Sequence, residues 1–272
     1  MKKVNVYHLI LTALFIAIIV VLGLTPIGLI RLGFCNATTL CIPVLIGTVI
    51  LGLKKGLILG AAFGAVSAYG AFGTAPSALI APIVAASPVL ALLICFVPRL
   101  LVPVTASGAY RLVKKGKAAP YVIAVLITAL CIVAAINSFD TIEAKIADML
   151  FSGEGEAPVT ALASGIAMAV TVGIPAIWVI VFSVIIYLYR VKSKRALDVP
   201  MAAAVGSLTN TVCYLGMIYF AYRLLGLDAF AILGMLIGFG MFVGMIEAII
   251  ASVISSPVAT ALARVKSNTT GR

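Results

Sequence analysis

Apolar residues in this chain run in long blocks, and the charged ones gather in the short gaps between them. Blocks of this length, apolar all round, read as helices set in lipid rather than as amphipathic helices lying on a core. A hydrocarbon layer ~30 Å thick takes about 20 helical residues to cross. The pattern predicts eight spans, over roughly 8–24, 39–53, 56–72, 88–112, 120–137, 163–189, 200–222 and 240–263. Several starts have chemistry behind them. Ser87 before Pro88 offers a capping hydroxyl and then a proline at the first helical position. Pro120 and Pro200 each open a span directly after a basic loop.

Two apolar runs are too long for one straight helix. Residues 77–113 would reach about 55 Å and contain Pro82, Pro88, Pro98 and Pro103, so 73–87 is expected to form an outer loop or a short re-entrant piece. Residues 229–263 pose the same problem, and Gly234, Gly238, Gly240 and Gly244 mark the expected break. Non-helical backbone at membrane depth persists only where protein or a water-filled cavity covers it. Such breaks therefore point towards a substrate site. Small residues mark close helix packing: Gly52, Gly56, Gly60 and Gly64 recur every fourth residue and continue into Ala68. That stripe is read as internal packing. Ala13 and Ala17 form a shorter stripe on the first span, facing either the protein or another subunit.

Charge sets the orientation. Fifteen of the 19 Lys and Arg fall in Lys2–Lys3, Lys54–Lys55, Arg111 to Lys117, Arg190 to Arg195 and Arg264 to Arg272. Asp140, Glu143, Asp148, Glu154, Glu156 and Asp228 lie in the alternate gaps. Cytoplasmic loops collect Lys and Arg, and eight spans with both termini inside put every basic cluster on one side. The chain is 64% apolar and 10% charged, far from a soluble globular composition. Its net charge of +11 sits at membrane edges, which suits anionic headgroups and argues against a nucleic-acid partner. The first span lacks a convincing cleavage site and reads as a retained helix. The expected location is a bacterial cytoplasmic membrane.

Most catalytic chemistry is missing from the sequence. One histidine, His8, excludes a multi-histidine metal site. There is no GxxxxGK[ST] loop for ATP and no GxSxG elbow. No enzyme, metal or cofactor is expected. The five cysteines are scattered; Cys35 and Cys41 are near enough to raise a disulfide or a metal, but small apolar packing is the favoured reading.

What remains is a sparse polar set towards the outer half of the bilayer. Glu247 lies about a third of the way down the last span, where an ionisable group is expensive and functional by default. Ser207, Thr209, Asn210 and Thr211 occupy the middle of the seventh span. Asn210 both donates and accepts, which suits an amide or hydroxyl ligand. Arg31 and Asn36 sit in the first outer loop, with Thr38 and Thr39 at the start of the next helix, and Tyr69 and Tyr214 supply amphipathic walls. Each has an alternative use: hydroxyls bond their own helix, Asn joins helices, and Arg31 anchors headgroups.

These residues resemble a known family. Thr25-Pro26-Ile27-Gly28, Asn36 through Gly47 and Leu51-Gly52-Leu53-Lys54-Lys55-Gly56 look like the substrate-binding S component of an energy-coupling factor transporter. Val97-Pro98-Arg99-Leu100-Leu101, Gly206 to Thr211 and Ile246 to Ala251 fit as well, and Ala13 and Ala17 match the family's AxxxA pattern. The match covers 8–115 and 200–264. It implies an all-α, six-helix membrane core built from 1–115 and 200–272, with both termini inside. Residues 116–199 depart from the family as an inserted two-helix hairpin with an acidic outer segment. The resemblance further implies capture of a vitamin or similar micronutrient, of which pantothenate-type binding fits best and riboflavin, folate and pyridoxine types are rivals. Arg31, Asn36, Thr38, Tyr69, Thr209, Asn210, Tyr214 and Glu247 would form the binding set. Ala13 and Ala17 would meet a transmembrane coupling protein that works with two cytoplasmic ATPases. Two readings stand against this: a proton-coupled secondary transporter using Glu247, and a membrane scaffold without a ligand.

Overall fold

The computed structural model of the chain describes residues 6–25, 28–31, 36–73, 76–115, 119–150, 164–169, 171–173 and 198–270, with a few isolated helical positions between 176 and 187. Helix α1 (Val6–Leu24) leads into a two-stranded antiparallel hairpin, β1 (Leu29–Arg31) and β2 (Asn36–Thr38), in which Leu29 pairs with Thr38 and Arg31 with Asn36. Then follow α2 (Cys41–Leu51), α3 (Leu53–Phe72), α4 (Ala81–Ala86), α5 (Pro88–Lys115) and α6 (Ala119–Leu150). Further along the chain come α7 (Asp198–Leu224), α8 (Ala229–Met235), a π-turn (Leu236–Gly240) and α9 (Met241–Thr270).

Four stretches are long and apolar enough to cross a membrane: Leu53–Phe72, Pro88–Lys115, Asp198–Leu224 and Ala229–Ala259. Their outer faces carry exposed Ile58, Leu92, Leu93, Val212, Phe220 and Val253. Soluble proteins rarely expose contiguous apolar faces of this extent. The chain is an all-α membrane protein.

The second predicted span, 39–53, is shorter than a crossing. Helix α2 has 11 residues, about 16 Å at the helical rise, and every residue from Cys41 to Thr48 is buried. Its start is set by the hairpin, and its end by Gly52, whose φ of 88° and ψ of 168° lie in a region open in practice only to glycine. That residue lets α3 fold straight back. The two overlong runs resolve in different ways. Residues 73–87 contain the six-residue α4, and Ser87 ends it in extended geometry before its hydroxyl accepts from Leu90 N–H at 3.5 Å. In 229–263 the predicted break is a π-turn inside a continuing helix rather than a loop. Helix α6 also outruns its prediction. It continues past 137 to Leu150, so Asp140, Glu143 and Asp148 lie on helix rather than in a loop. Glu154, Glu156 and parts of the predicted span 163–189 fall outside the described residues.

Helix α5 is the hub. The glycine stripe of α3 lies along it in antiparallel register: a Cβ at Gly56 would meet Pro103, one at Gly60 the Arg99 carbonyl, and one at Gly64 the Phe96 ring. Helix α7 packs on its other side through Gly206, close to Ala106 and the Val102 carbonyl. Helix α9 runs back against α7, with Gly244 over Thr211, and Ser252 Oγ donating to the Pro200 carbonyl at 3.1 Å. This alternation brings Lys54 and Lys55 to the same end of the bundle as Lys114 and Lys115. Helix α1 buries Leu11, Phe15 and Ile19 and leaves Ala13 and Ala17 on the exposed face beside Ile10 and Leu14.

The Gly60 approach gives a test. A Cβ there would stand 2.6 Å from the Arg99 carbonyl oxygen, which is backbone and cannot swing aside. Gly60→Ala should lower the thermal midpoint of the detergent-solubilised protein, because overpacking costs about 1–3 kcal/mol against about 1 kcal/mol of gained helix propensity. Gly216→Ala, whose Cβ would meet nothing within 4 Å, should leave the midpoint unchanged or raise it. Equal midpoints for the two variants would mean that α3 and α5 do not depend on this contact.

Candidate functional site

Helix α5 carries two internal prolines, Pro98 and Pro103, and each removes an amide donor. Pro98 leaves the Ile94 carbonyl, four residues earlier, without its helical partner. Arg99 supplies the replacement: its Nη1 donates to that carbonyl at 3.0 Å. Pro103 does the same to the carbonyl of Arg99 itself, the oxygen that Gly60 approaches. The guanidinium is therefore held close to its own helix, deep in the bundle, and Arg99 is only 6% exposed.

Two aromatic rings hold it there. Arg99 Cζ lies 4.6 Å from the Tyr214 ring centroid and 5.3 Å from that of Phe63. Desolvated cation–π contacts are worth up to about 2 kcal/mol each, while burying an unpaired charge costs several. The rings and one carbonyl offset only part of that cost. No carboxylate of the described residues is in ion-pair contact with Arg99, and its Nε is buried with no hydrogen-bond partner.

The guanidinium faces a cavity of about 70 Å³ bounded by α3, α5, α7, the π-turn and α9, with Thr38 of the hairpin over it. At ~10–15 Å³ for one water, that is room for about five waters. Asn210 lines it with Oδ1 buried and unpartnered. Glu247 lines another wall, half-buried, with Oε1 accepting the Thr38 backbone N–H. Thr38 spends its own hydroxyl on Leu40 N–H at 3.1 Å, which fixes the start of α2. On the far side Tyr222 Oη donates to the Leu79 carbonyl at 3.1 Å, tying α7 to the segment before α4.

Four of the eight predicted binding residues meet at this cavity: Thr38, Asn210, Tyr214 and Glu247. Two do not reach it. Tyr69 points outwards and is 69% exposed. Thr209 donates to the Val205 carbonyl of its own helix at 2.7 Å. The helical repeat explains both: residues 207, 210, 211 and 214 share one face of α7, and 209 is turned from it. Thr211 takes the place predicted for Thr209, and Ser67 and Gly70, next to Tyr69, line the α3 wall. Arg31 and Asn36 are placed by their backbone pairing alone, and their side chains lie outside the described residues. Cys41 is a buried free thiol 3.9 Å from Ser207 Oγ, so it forms no disulfide.

Arg99 was missed as a site residue. Its signal is present in the sequence: of the four basic residues outside the clusters, it alone sits mid-run between two prolines. No family model matches the chain, and no curated protein matches it either.

The Thr38–Glu247 bond joins the hairpin to α9 and is the one described side-chain tie across that gap. Charge-assisted bonds contribute about 1.5–3 kcal/mol. Glu247→Ala should speed hydrogen exchange at the Thr38 amide by roughly 10–100-fold, read by mass spectrometry on hairpin peptides. Glu247→Gln keeps an acceptor and should show a smaller effect. Unchanged exchange in Glu247→Ala would remove the tie from the account of the hairpin.

Proposed function

We propose that this chain is the substrate-capturing membrane subunit of an importer, of the S-component type its sequence resembles. The observation that carries this is Arg99, a buried guanidinium lining the cavity with no carboxylate in ion-pair contact among the described residues, in a lining that also holds the unpartnered Asn210 Oδ1. A scaffold gains nothing by burying such groups, whereas a pocket that a ligand completes does. The cavity lies towards the hairpin end of the bundle. With the basic end inside, as the charge distribution predicts, that is the outward end. The ligand would be a vitamin or related micronutrient, with a pantothenate-like acid the first candidate. Energy would come from two ATPases through a coupling protein, since the chain has no nucleotide-binding loop of its own. Ala13 and Ala17, exposed on α1, are the proposed contact with that coupling protein. The six-helix core with an inserted hairpin at 116–199 is part of the same proposal.

Titration of the detergent-purified protein with a panel of B vitamins and precursors should find one tight ligand, without ATP or partners. Uptake in cells should require the ATPases. Replacing Ala13 and Ala17 together by Leu should abolish uptake and leave the dissociation constant within about 2-fold, because neither touches the cavity. A silent panel would defeat the vitamin reading. Proton-driven uptake by the chain alone in liposomes, lost in Glu247→Gln, would replace the importer with a secondary transporter.

A further inference from the structure

We infer that the cavity selects its ligand by charge: an organic acid whose carboxylate sits on Arg99, and whose other end offers an N–H or O–H donor to Glu247. The inference rests on reading the cavity as a capture site and adds the chemical class. Among the described residues, only Nη1 of Arg99's nitrogens has an acceptor. The Nε edge is left over, and an arginine edge with two parallel N–H groups is the shape that takes both oxygens of a carboxylate. Tyr214 and Phe63 hold the guanidinium plane, so the ligand meets a fork already in position. Preorganisation of this kind lowers the ordering cost of binding.

Two other lining residues make the complementary demand. Glu247 Oε1 accepts the Thr38 amide, and Oε2 has no donor among the described residues. Asn210 adds the bare carbonyl oxygen Oδ1. Both are acceptors, so the far end of the ligand must donate. A purely cationic ligand would be repelled by Arg99, and a neutral one would leave the buried charge unpaired. An acid with an amine, amide or hydroxyl group answers both demands. The Glu247 tie to the hairpin also means that the ligand shares its carboxylate with the roof over the cavity.

The test uses the full chain in detergent and its thermal midpoint. The probes are the ω-amino acids from glycine to aminocaproate, the matching ω-hydroxy acids, unsubstituted acids of equal length, and the primary amide of each. At least one substituted acid should stabilise the protein at a concentration about 10-fold or more below its amide, and below the unsubstituted acid. Arg99→Gln should erase the preference for acid over amide, and Arg99→Lys should keep part of it. Should Arg99→Gln fail to fold, the wild-type comparison of acid with amide still decides. Glu247→Gln should weaken the substituted acids more than the unsubstituted ones. Equal effects of acid and amide, no effect of any acid, or a preference that survives in Arg99→Gln would each overturn the assignment. Acid-dependent stabilisation with a silent vitamin panel would uphold the charge assignment and reject the vitamin importer. Tight binding of an uncharged vitamin would do the reverse.

Discussion

Pro98 has no amide hydrogen, and much of the site follows from that. The Ile94 carbonyl loses its helical donor inside an apolar bundle, where an unbonded carbonyl is costly. Arg99, the next residue, bonds it with Nη1. A charge that would otherwise reach for the bilayer surface is thereby kept at depth, under Tyr214 and beside Phe63. One nitrogen of the fork is taken by the helix, and Nε has no acceptor among the described residues. The proline thus creates the need that Arg99 meets, and Arg99 creates a need in turn.

The same helix explains why the walls stand so close. Pro103 frees the Arg99 carbonyl, and that oxygen lies where Gly60 passes. A glycine Cα can approach a carbonyl at weak hydrogen-bond range, and no other residue can do so without a collision. Gly206 makes a similarly close pass on the other side of α5, and Gly244 on Thr211. Since lipid chains are as apolar as leucine side chains, burial alone does not drive these helices together. Close backbone approach does.

Much of the scaffold was legible in the sequence, because lipid imposes a simple rule: long apolar blocks, charges only between them. Gly56, Gly60 and Gly64 of the glycine stripe read correctly as packing, since a repeat of four puts them on one helical face, whereas Gly52 is the turn residue that precedes α3. The overlong runs were recognised as impossible straight helices, but the sequence did not say how each would resolve. A π-turn at 236–240 and a six-residue α4 both relieve excess length, and the choice depends on packing against neighbours. The buried α2 was read as a crossing because apolar composition looks alike in lipid and in a protein core. At the site, Asn210, Tyr214, Thr38 and Glu247 were found by polarity alone. Thr209 and Tyr69 were not separated from Thr211 and Ser67, which needs the rotational setting of each helix. Arg99 entered only as part of the Val97–Leu101 motif, because its role shows once the prolines around it are counted against the carbonyls of its helix.

The charged walls of the cavity are made where a helix departs from regular geometry, and the regular helices α3 and α7 close the rest with Ser67, Asn210, Thr211 and Tyr214. Helix α5 contributes its proline-flanked arginine, α9 the glutamate just beyond the π-turn, and α2 the hairpin that delivers the Thr38 amide. A regular helix in a membrane satisfies its backbone internally and turns a smooth apolar surface outwards. Its backbone has nothing with which to hold a polar molecule. Departures from regularity release carbonyls and amides, and here those groups are met by charged side chains at the same depth. The Ile94 carbonyl draws in Arg99, and the Thr38 amide draws in Glu247. The cation and the anion are thus positioned by backbone groups rather than by each other, which is why they face one cavity without forming a pair. Two opposite charges kept apart across a small space in a low-dielectric bundle attract strongly and would close on each other if free to move. That both are anchored elsewhere keeps the space open, and makes a molecule with an acid at one end and a donor at the other the species that best completes it.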